Sequence, residues 1–395
     1  MNTIKKTALI STLYTQGHGG VYTMLGLVVD MLKQLGFDIK IAYYMPYKIQ
    51  PNLSVPAAKI FHQRPKATSF VGDFGVEEYA IGAILPELEF THYYPHAVWK
   101  KLINASDYHF VVSGPVLAAL PFYLTNKKYL AWIASPYNGD RKDRVKLFPW
   151  YRKCLDYLIV SKISGWLEKK LLKSGTVLTI STYSKHEFQA DQKWIRDVMP
   201  MPIDTRQFLP DENRVKPWLI CFTARFLDPR KNIYFLLSAF SYVLESNKNA
   251  RLLLIGDEVS GALQEKLREL KIESHVDIFN HLTRPEIISH LQAADVFAIP
   301  SHQEGLCISG LEAMACGCPV VSTQCGGPSD YIVNDQNGCL TDFDIEQFSQ
   351  SIIRICTDRE LRNKLSLGAV KTIQENYSFE KTKTIFNNYM ERTFL

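Results

Sequence analysis

The feature that most constrains this chain is a repeated alternation. Short apolar runs of strand length are each followed by a stretch with helical spacing. "TALIST" (7–12) opens the series, then a glycine-rich turn, then a helix pattern from Val21 to Leu35 that Gly36 ends. "DIKIAYY" (38–44), "YHFVVSG" (108–114), "YLAWIASP" (129–136) and "TVLTIST" (176–182) continue it. Strands without a polar face must be covered on both sides, so these runs predict a mostly parallel sheet between layers of helix. Residues 45–105, rich in Pro, Tyr and His, break the rhythm and read as irregular excursions. The second half repeats the pattern in "WLICFTARF" (218–226), "RLLLIGDE" (251–258), "VDIFN" (276–280), "VFAIPS" (296–301), "PVVST" (319–323) and "GCLT" (338–341).

A chain of 395 residues exceeds one ordinary core, so two domains are expected. The break falls in "MPMPIDTRQFLPDENRVKP" (199–217), where prolines and charges surround the single aromatic Phe208. The expected division is an α/β domain over 1–204, a second over 205–376, and a terminal helix, 377–395, crossing back to the first. Open parallel sheets bind ligands beyond the carboxyl ends of their strands, so two such domains predict a cleft between those ends.

The net charge of +5 permits an anionic ligand or surface but is too weak for a nucleic-acid binder. Of eight cysteines, seven lie from Cys221 onward, several in apolar runs, which suits reduced, packed thiols. Cys316 and Cys318 have no companion pair at zinc spacing, and no metal site is expected. The apolar stretch near the start is too short for a signal sequence and no run approaches a membrane span, so a cytoplasmic protein is expected.

The segment "EGLCISGLEAMACGCPV" (304–320) puts two glutamates in otherwise apolar surroundings. A buried carboxylate is costly without partners, which the protein or a ligand must supply. Glu304 falls in the loop before a helix that stops at Gly317, beside free N–H groups suited to phosphate oxygens. Glu304 and Glu312 could therefore accept hydroxyls on either side of an anion, as a nucleotide sugar presents them. Equally, Glu304 could cap the helix and Glu312 pair with a core Arg or Lys; spacing leaves both readings open. "TARFLDPRKN" (223–232) brings Arg225, Arg230 and Lys231 to the carboxyl end of a strand, where a diphosphate could be neutralised. Arg230 reads as the residue of a solvated turn. "YTQGHGGVY" (14–22) lets backbone approach a ligand but lacks the spacing of a dinucleotide or phosphate-loop fingerprint. His18 lies in that loop as a candidate catalytic or acceptor-side group.

"EGLCISGLEAMACGCPVVST" resembles the donor-binding signature of retaining glycosyltransferases of the large family 4, also called glycosyl transferases group 1. Arg225 and Lys231, Gly19 and Gly20, "MPIDTRQF" and "CGGPSDYI" agree with it. The resemblance covers most of the chain and is specific mainly in the second half. It implies the GT-B fold, two Rossmann-like parallel-sheet domains facing across a cleft, with 1–204 on the acceptor side and 205–376 binding the nucleotide sugar. It also implies a UDP- or GDP-sugar donor, transfer with retention to a hydroxyl acceptor, and no metal or other cofactor. Arg225 and Lys231 would hold the diphosphate, Glu304 the sugar hydroxyls and Glu312 the ribose. The backbone of Gly305, Leu306 and Cys307 would line the donor, with Gly19 and Gly20 opposite. The acceptor would be a glycan, a lipid-linked sugar or a small molecule, in cell-envelope glycan or glycoconjugate synthesis. The chain departs from relatives that carry a histidine near the sugar: the comparable stretch is "IASPYNGD", where Ser135, Tyr137 or Asn138 would stand in.

"DFD" (342–344) has metal-motif spacing in another transferase fold, but its place before a helix pattern predicts a cap. Residues 141–173 hold ten Lys or Arg against three Asp or Glu, interleaved with Trp150, Tyr151 and Trp166. A peripheral contact with anionic membrane at the inner face, a basic acceptor cleft and an ordinary solvated helix pair all fit. Among other functions for the architecture, a phosphorylase has no persuasive pyridoxal-phosphate lysine here. A nucleotide-sugar 2-epimerase and a noncatalytic nucleotide- or glycan-binding module are the alternatives to a transferase.

Overall fold

The computed structural model describes residues 6–17, 19–146, 148–211 and 218–395. The chain divides into two compact units, Met1–Met199 with Lys383–Leu395, and Pro200–Thr382.

In the first unit, β1 (Thr7–Thr12), β2 (Asp38–Tyr44), β3 (Ala67–Val71), β4 (Glu77–Ile81), β5 (Tyr108–Ser113), β6 (Leu130–Ile133), β7 (Thr176–Thr179) and β8 (Asp197–Val198) form one sheet. Its order is β3-β4-β2-β1-β5-β6-β7-β8. Every neighbouring pair is parallel except β3 with β4. The apolar runs are buried because helices cover them. In Gly20–Gln34, Met24, Leu25, Val28, Val29, Met31 and Leu32 make one buried stripe at helical spacing. Gly36 ends the helix at φ 78°, a conformation that favours glycine.

Residues 45–105 are more ordered than expected. They contain the antiparallel hairpin β3–β4, whose second strand joins the sheet beside β2, and the helix Ala97–Asn104, capped by His96. Strand β3 is an exposed edge and so carries no apolar run. The hairpin was hidden from a hydrophobicity reading for that reason. Near the other edge, the buried Trp132 indole donates to Met199 O at 2.7 Å. The last helix, Phe379–Phe394, packs Phe386 and Phe394 on Phe110, and Thr393 meets Thr176.

In the second unit, β9 (Leu219–Ala224), β10 (Arg251–Gly256), β11 (Val276–Asn280), β12 (Val296–Ile299), β13 (Val320–Thr323) and β14 (Gly338–Thr341) form an all-parallel sheet of order β11-β10-β9-β12-β13-β14. The chain winds outward from β9 in one direction and from β12 in the other. The topological switch therefore lies between β9 and β12, where the loops leaving two adjacent strands diverge and open a crevice. In the first unit the same reversal lies between β1 and β5. Asp344 accepts from Gln347 N and caps the helix Ile345–Thr357, as its place in "DFD" predicted. No described helix is long and apolar enough to cross a membrane.

Candidate functional site

The loops after β9 and β12 are laced together. Lys231 Nζ donates to Glu304 Oε1 at 2.7 Å, Asn232 Nδ2 donates to Pro300 O at 3.1 Å, and His302 N–H donates to Arg230 O at 2.7 Å. Local sequence explains the geometry. In "LDPRKN", Asp228 caps a turn whose first residue is Pro229, the arrangement in which proline's missing N–H costs nothing. Asn232 then takes a left-handed conformation (φ 50°) that aims its amide across to β12 and starts the helix Ile233–Ser246.

Glu304 is held on both sides of its backbone. Its N–H donates to Cys325 O and its carbonyl accepts from Gly327 N–H, each at 2.8 Å. Gly327 is required there: a Cβ would lie 2.5 Å from both Gly305 O and Leu306 Cα. The Glu304 side chain is buried, and Oε1 accepts from both Ser301 Oγ (2.6 Å) and Lys231 Nζ. Both bonds end on the same oxygen, which leaves Oε2 for another donor. Burial alone would lower the Lys231 pKa, but the facing Glu304 carboxylate outweighs it and holds the ammonium above its ordinary value.

Asp228 gathers the remaining cations. Arg225 Nη2 reaches Asp228 Oδ2 at 2.9 Å and Arg230 Nη2 reaches it at 2.8 Å. Burial would raise Asp228, yet the Arg230 guanidinium and N–H, with Arg225, keep it below the usual carboxylate range. The Arg225 side chain is 70% exposed, so its guanidinium is open to a ligand. Three cations, Arg225, Arg230 and Lys231, thus gather at the crevice, with Asp257 accepting from Phe226 N–H beside them.

The helix Ile308–Ala315 begins here without a side-chain cap and with no acidic residue in its first turn. Its amino end is therefore electrostatically receptive to an anion. Cys307, before it, is left-handed (φ 62°), a strained state for a residue with a Cβ. Tyr331 OH donates to Cys307 O at 3.3 Å and helps hold it. Burial, with Glu304 adding to it, pushes the Cys307 thiol up to about 12, so it is no nucleophile near neutral pH. Among the described residues, the charged partner of the Glu312 side chain, on the same helix, is Arg284 at 3.9 Å. Burial pushes its carboxyl up to about 7 against the opposing pull of Arg284. This is a poorly partnered carboxylate.

Of the expected residues, Arg225, Lys231, Glu304, Gly305, Leu306, Cys307 and Glu312 share one unit, around its switch point. Gly19 (φ 94°) and Gly20 lie in the first unit at the carboxyl end of β1, with open space where a Cβ would be. His18 lies outside the described residues. Tyr137 is buried; its hydroxyl donates to Glu89 Oε2 at 2.9 Å and its N–H to Glu168 Oε1 at 2.8 Å. That side chain is committed to the fold of the first unit. Arg230 lies in an exposed turn as expected, where Asp228 of that turn holds it beside Arg225. Asp228, Ser301 and Gly327 went unread in the sequence; the Asp-Pro step was the one signal for the first. Among the described residues no group of three or more His, Cys, Asp or Glu could hold a metal.

Comparison with known proteins bears on this arrangement. Residues 205–372 match the family described as Glycosyl transferases group 1. A probable sucrose-phosphate synthase of Thermosipho melanesiensis is 29% identical over 243 residues, 57% of this chain and 56% of that protein. The matched stretch thus spans little more than half of that relative. Sucrose-phosphate synthase of Thermosynechococcus elongatus has the same fold, with TM-score 0.72 and 16% identity over 99% of both chains. HepE of Anabaena, solved in complex with UDP, superposes with TM-score 0.73 and 13% identity over 98% of this chain and 100% of that one.

The Lys231–Glu304 pair is testable without any ligand. Lys231→Met strands a buried carboxylate and should cost about 3–5 kcal/mol of stability. Lys231→Met with Glu304→Gln should cost clearly less than the sum of the two single changes. Urea denaturation of the four proteins checks this; additive losses would mean that the pair is not coupled.

Proposed function

We infer, for a chain that carries a glycosyl transferases group 1 domain on a GT-B fold, that it moves a sugar from a nucleotide-sugar donor to a hydroxyl acceptor with retention of configuration. The observation that carries this reading is the Lys231–Glu304 pair at the switch point, with Arg225 and Arg230 beside it and an uncapped helix end next to it.

The donor diphosphate is held by donors of the crevice: Arg225, Lys231 and the amino end of Ile308–Ala315 face its oxygens. Charge grows on that group as the bond from the anomeric carbon to the phosphate oxygen breaks, so these fixed donors stabilise the transition state more than the ground state. The acceptor oxygen bonds to the anomeric carbon on the face the diphosphate leaves. A phosphate oxygen takes the acceptor proton. Glu304 binds a sugar hydroxyl through Oε2; with Oε1 held by Lys231 and Ser301, it is positioned to orient the sugar rather than attack it. Glu312, raised and thinly partnered, accepts from ribose hydroxyls, which favour its ionised form. No step calls for a metal ion or cofactor.

Calorimetry with UDP and GDP tests the assignment. Arg225→Ala should weaken binding of the diphosphate by about 1.5–3 kcal/mol, and Glu304→Ala should reduce turnover more than nucleotide affinity. Unchanged nucleotide affinity in Arg225→Ala would overturn it. Donor incubated alone should yield no 2-epimer, which separates a transferase from an epimerase.

We further propose a cytoplasmic location with peripheral contact at the inner face of an anionic membrane, a reading supported by a surface of the first unit. Trp150 is 78% exposed and Trp166 56%, with Tyr157 and Leu158 exposed between them. Lys162 and Lys170 lie over the Tyr157 and Trp166 rings. Asp156 and Glu168 are buried, which leaves the face more basic than the sequence count suggests. Aromatic rings flanked by cations suit a negatively charged bilayer. The protein should sediment with phosphatidylglycerol-rich vesicles and not with phosphatidylcholine alone, and Trp150→Ala with Lys170→Glu should lower that binding about tenfold. Equal binding to both vesicles would contradict it.

A further inference from the structure

A cavity of about 740 Å³ lies in the first unit, at the carboxyl ends of β1 and β2, with the hairpin β3–β4 as one wall. Thr12, the last residue of β1, and Tyr43, its partner in β2, both line it. The hairpin tip is fixed in place rather than draped over the opening. Lys33 Nζ donates to Phe74 O at 2.6 Å, Tyr22 OH donates to Asp73 Oδ2 at 3.1 Å, and the Tyr22 and Phe74 rings pack 4.8 Å apart. Gly26 makes room for Phe74, since a Cβ there would lie 2.9 Å from Phe74 Cε1. The glycine loop after β1 lines the cavity through Gly17.

The lining has a definite chemistry. Tyr14 and Tyr43 pack together with centroids 5.7 Å apart, adding their rings to those of Tyr22 and Phe74. The charged groups among the described lining residues are two carboxylates, Asp73 and Glu78, with no Lys or Arg. Burial, then the proximity of Asp73, raises the Glu78 carboxyl above its ordinary value, so no cation offsets it. Aromatic faces match the C–H faces of a pyranose, and carboxylates accept its hydroxyl protons. The same carboxylates repel a phosphate or uronate, which is discrimination by like charge. The donor site, in contrast, is built around cations.

We propose that this cavity binds the acceptor, and that the acceptor end it takes is a neutral, hydroxyl-rich sugar rather than a phosphorylated or otherwise anionic one. The proposal rests on the transferase reading for the word acceptor; the ligand class rests on the cavity alone.

Saturation-transfer NMR on the full chain tests it. The probes are the methyl glycosides of glucose, mannose and galactose, and the 6-phosphates of the same sugars. At least one neutral glycoside should bind, and its 6-phosphate should bind at least about tenfold more weakly. Asp73→Asn with Glu78→Gln should shrink that ratio toward one, while UDP and GDP affinity, measured by calorimetry on the same protein, stays unchanged. Binding of a phosphate as tight as its neutral partner, an unaltered ratio in the double variant, or no binding by any neutral glycoside would overturn the proposal. Failure of the transferase reading shows separately, as absent nucleotide binding in the wild type.

Discussion

The ion pair between Lys231 and Glu304 is the interaction on which the second unit's site depends. Two adjacent parallel strands, β9 and β12, send their loops in opposite directions at the switch point, and nothing in strand pairing joins those loops. Lys231 and Glu304 join them, supported by Asn232 to Pro300 and His302 to Arg230. A buried carboxylate would be intolerable alone, so the lysine is a structural necessity before it is anything else. On the proposed function, a diphosphate entering the crevice would find that lysine already oriented, with Arg225 and Arg230 held on Asp228. The cost of arranging cations has been met in folding, which is the physical content of preorganisation.

Spacing left open whether Glu304 is satisfied by the protein or accepts from ligand hydroxyls. The protein partners it through Oε1, by Lys231 and Ser301, and the proposed function assigns Oε2 to a sugar hydroxyl. Glu312 stands differently. Its 3.9 Å approach to Arg284 is too long for a hydrogen bond, and burial holds its carboxyl above the ordinary range against the pull of Arg284.

Much of the fold was legible because buried parallel strands cannot hide: "TALIST", "DIKIAYY" and "GCLT" appear at the expected residues. Hairpin β3–β4 was not legible, since an exposed edge strand such as "ATSFV" needs no apolar run and its pairing is a long-range fact. The same limit applied to the sites. Arg225 and Lys231 stand out after an apolar strand, but that Asp228 would gather Arg225 and Arg230 depends on the turn geometry. Gly327 reads as one more glycine until its contact with the Gly305 carbonyl is seen. The aromatic and acidic cavity in the first unit draws on residues 12 to 78, brought together only by sheet order.

The proposed function has a glutamate held by a lysine and a serine orient the sugar, while the departing diphosphate takes up the proton and the charge. The anomeric configuration of the product tests that claim most directly. With an α-linked donor, NMR coupling constants of the freshly formed glycoside should report an α linkage, with no sugar adduct on any side chain by mass spectrometry. A β-linked product, or a trapped adduct on Glu304, would contradict the account.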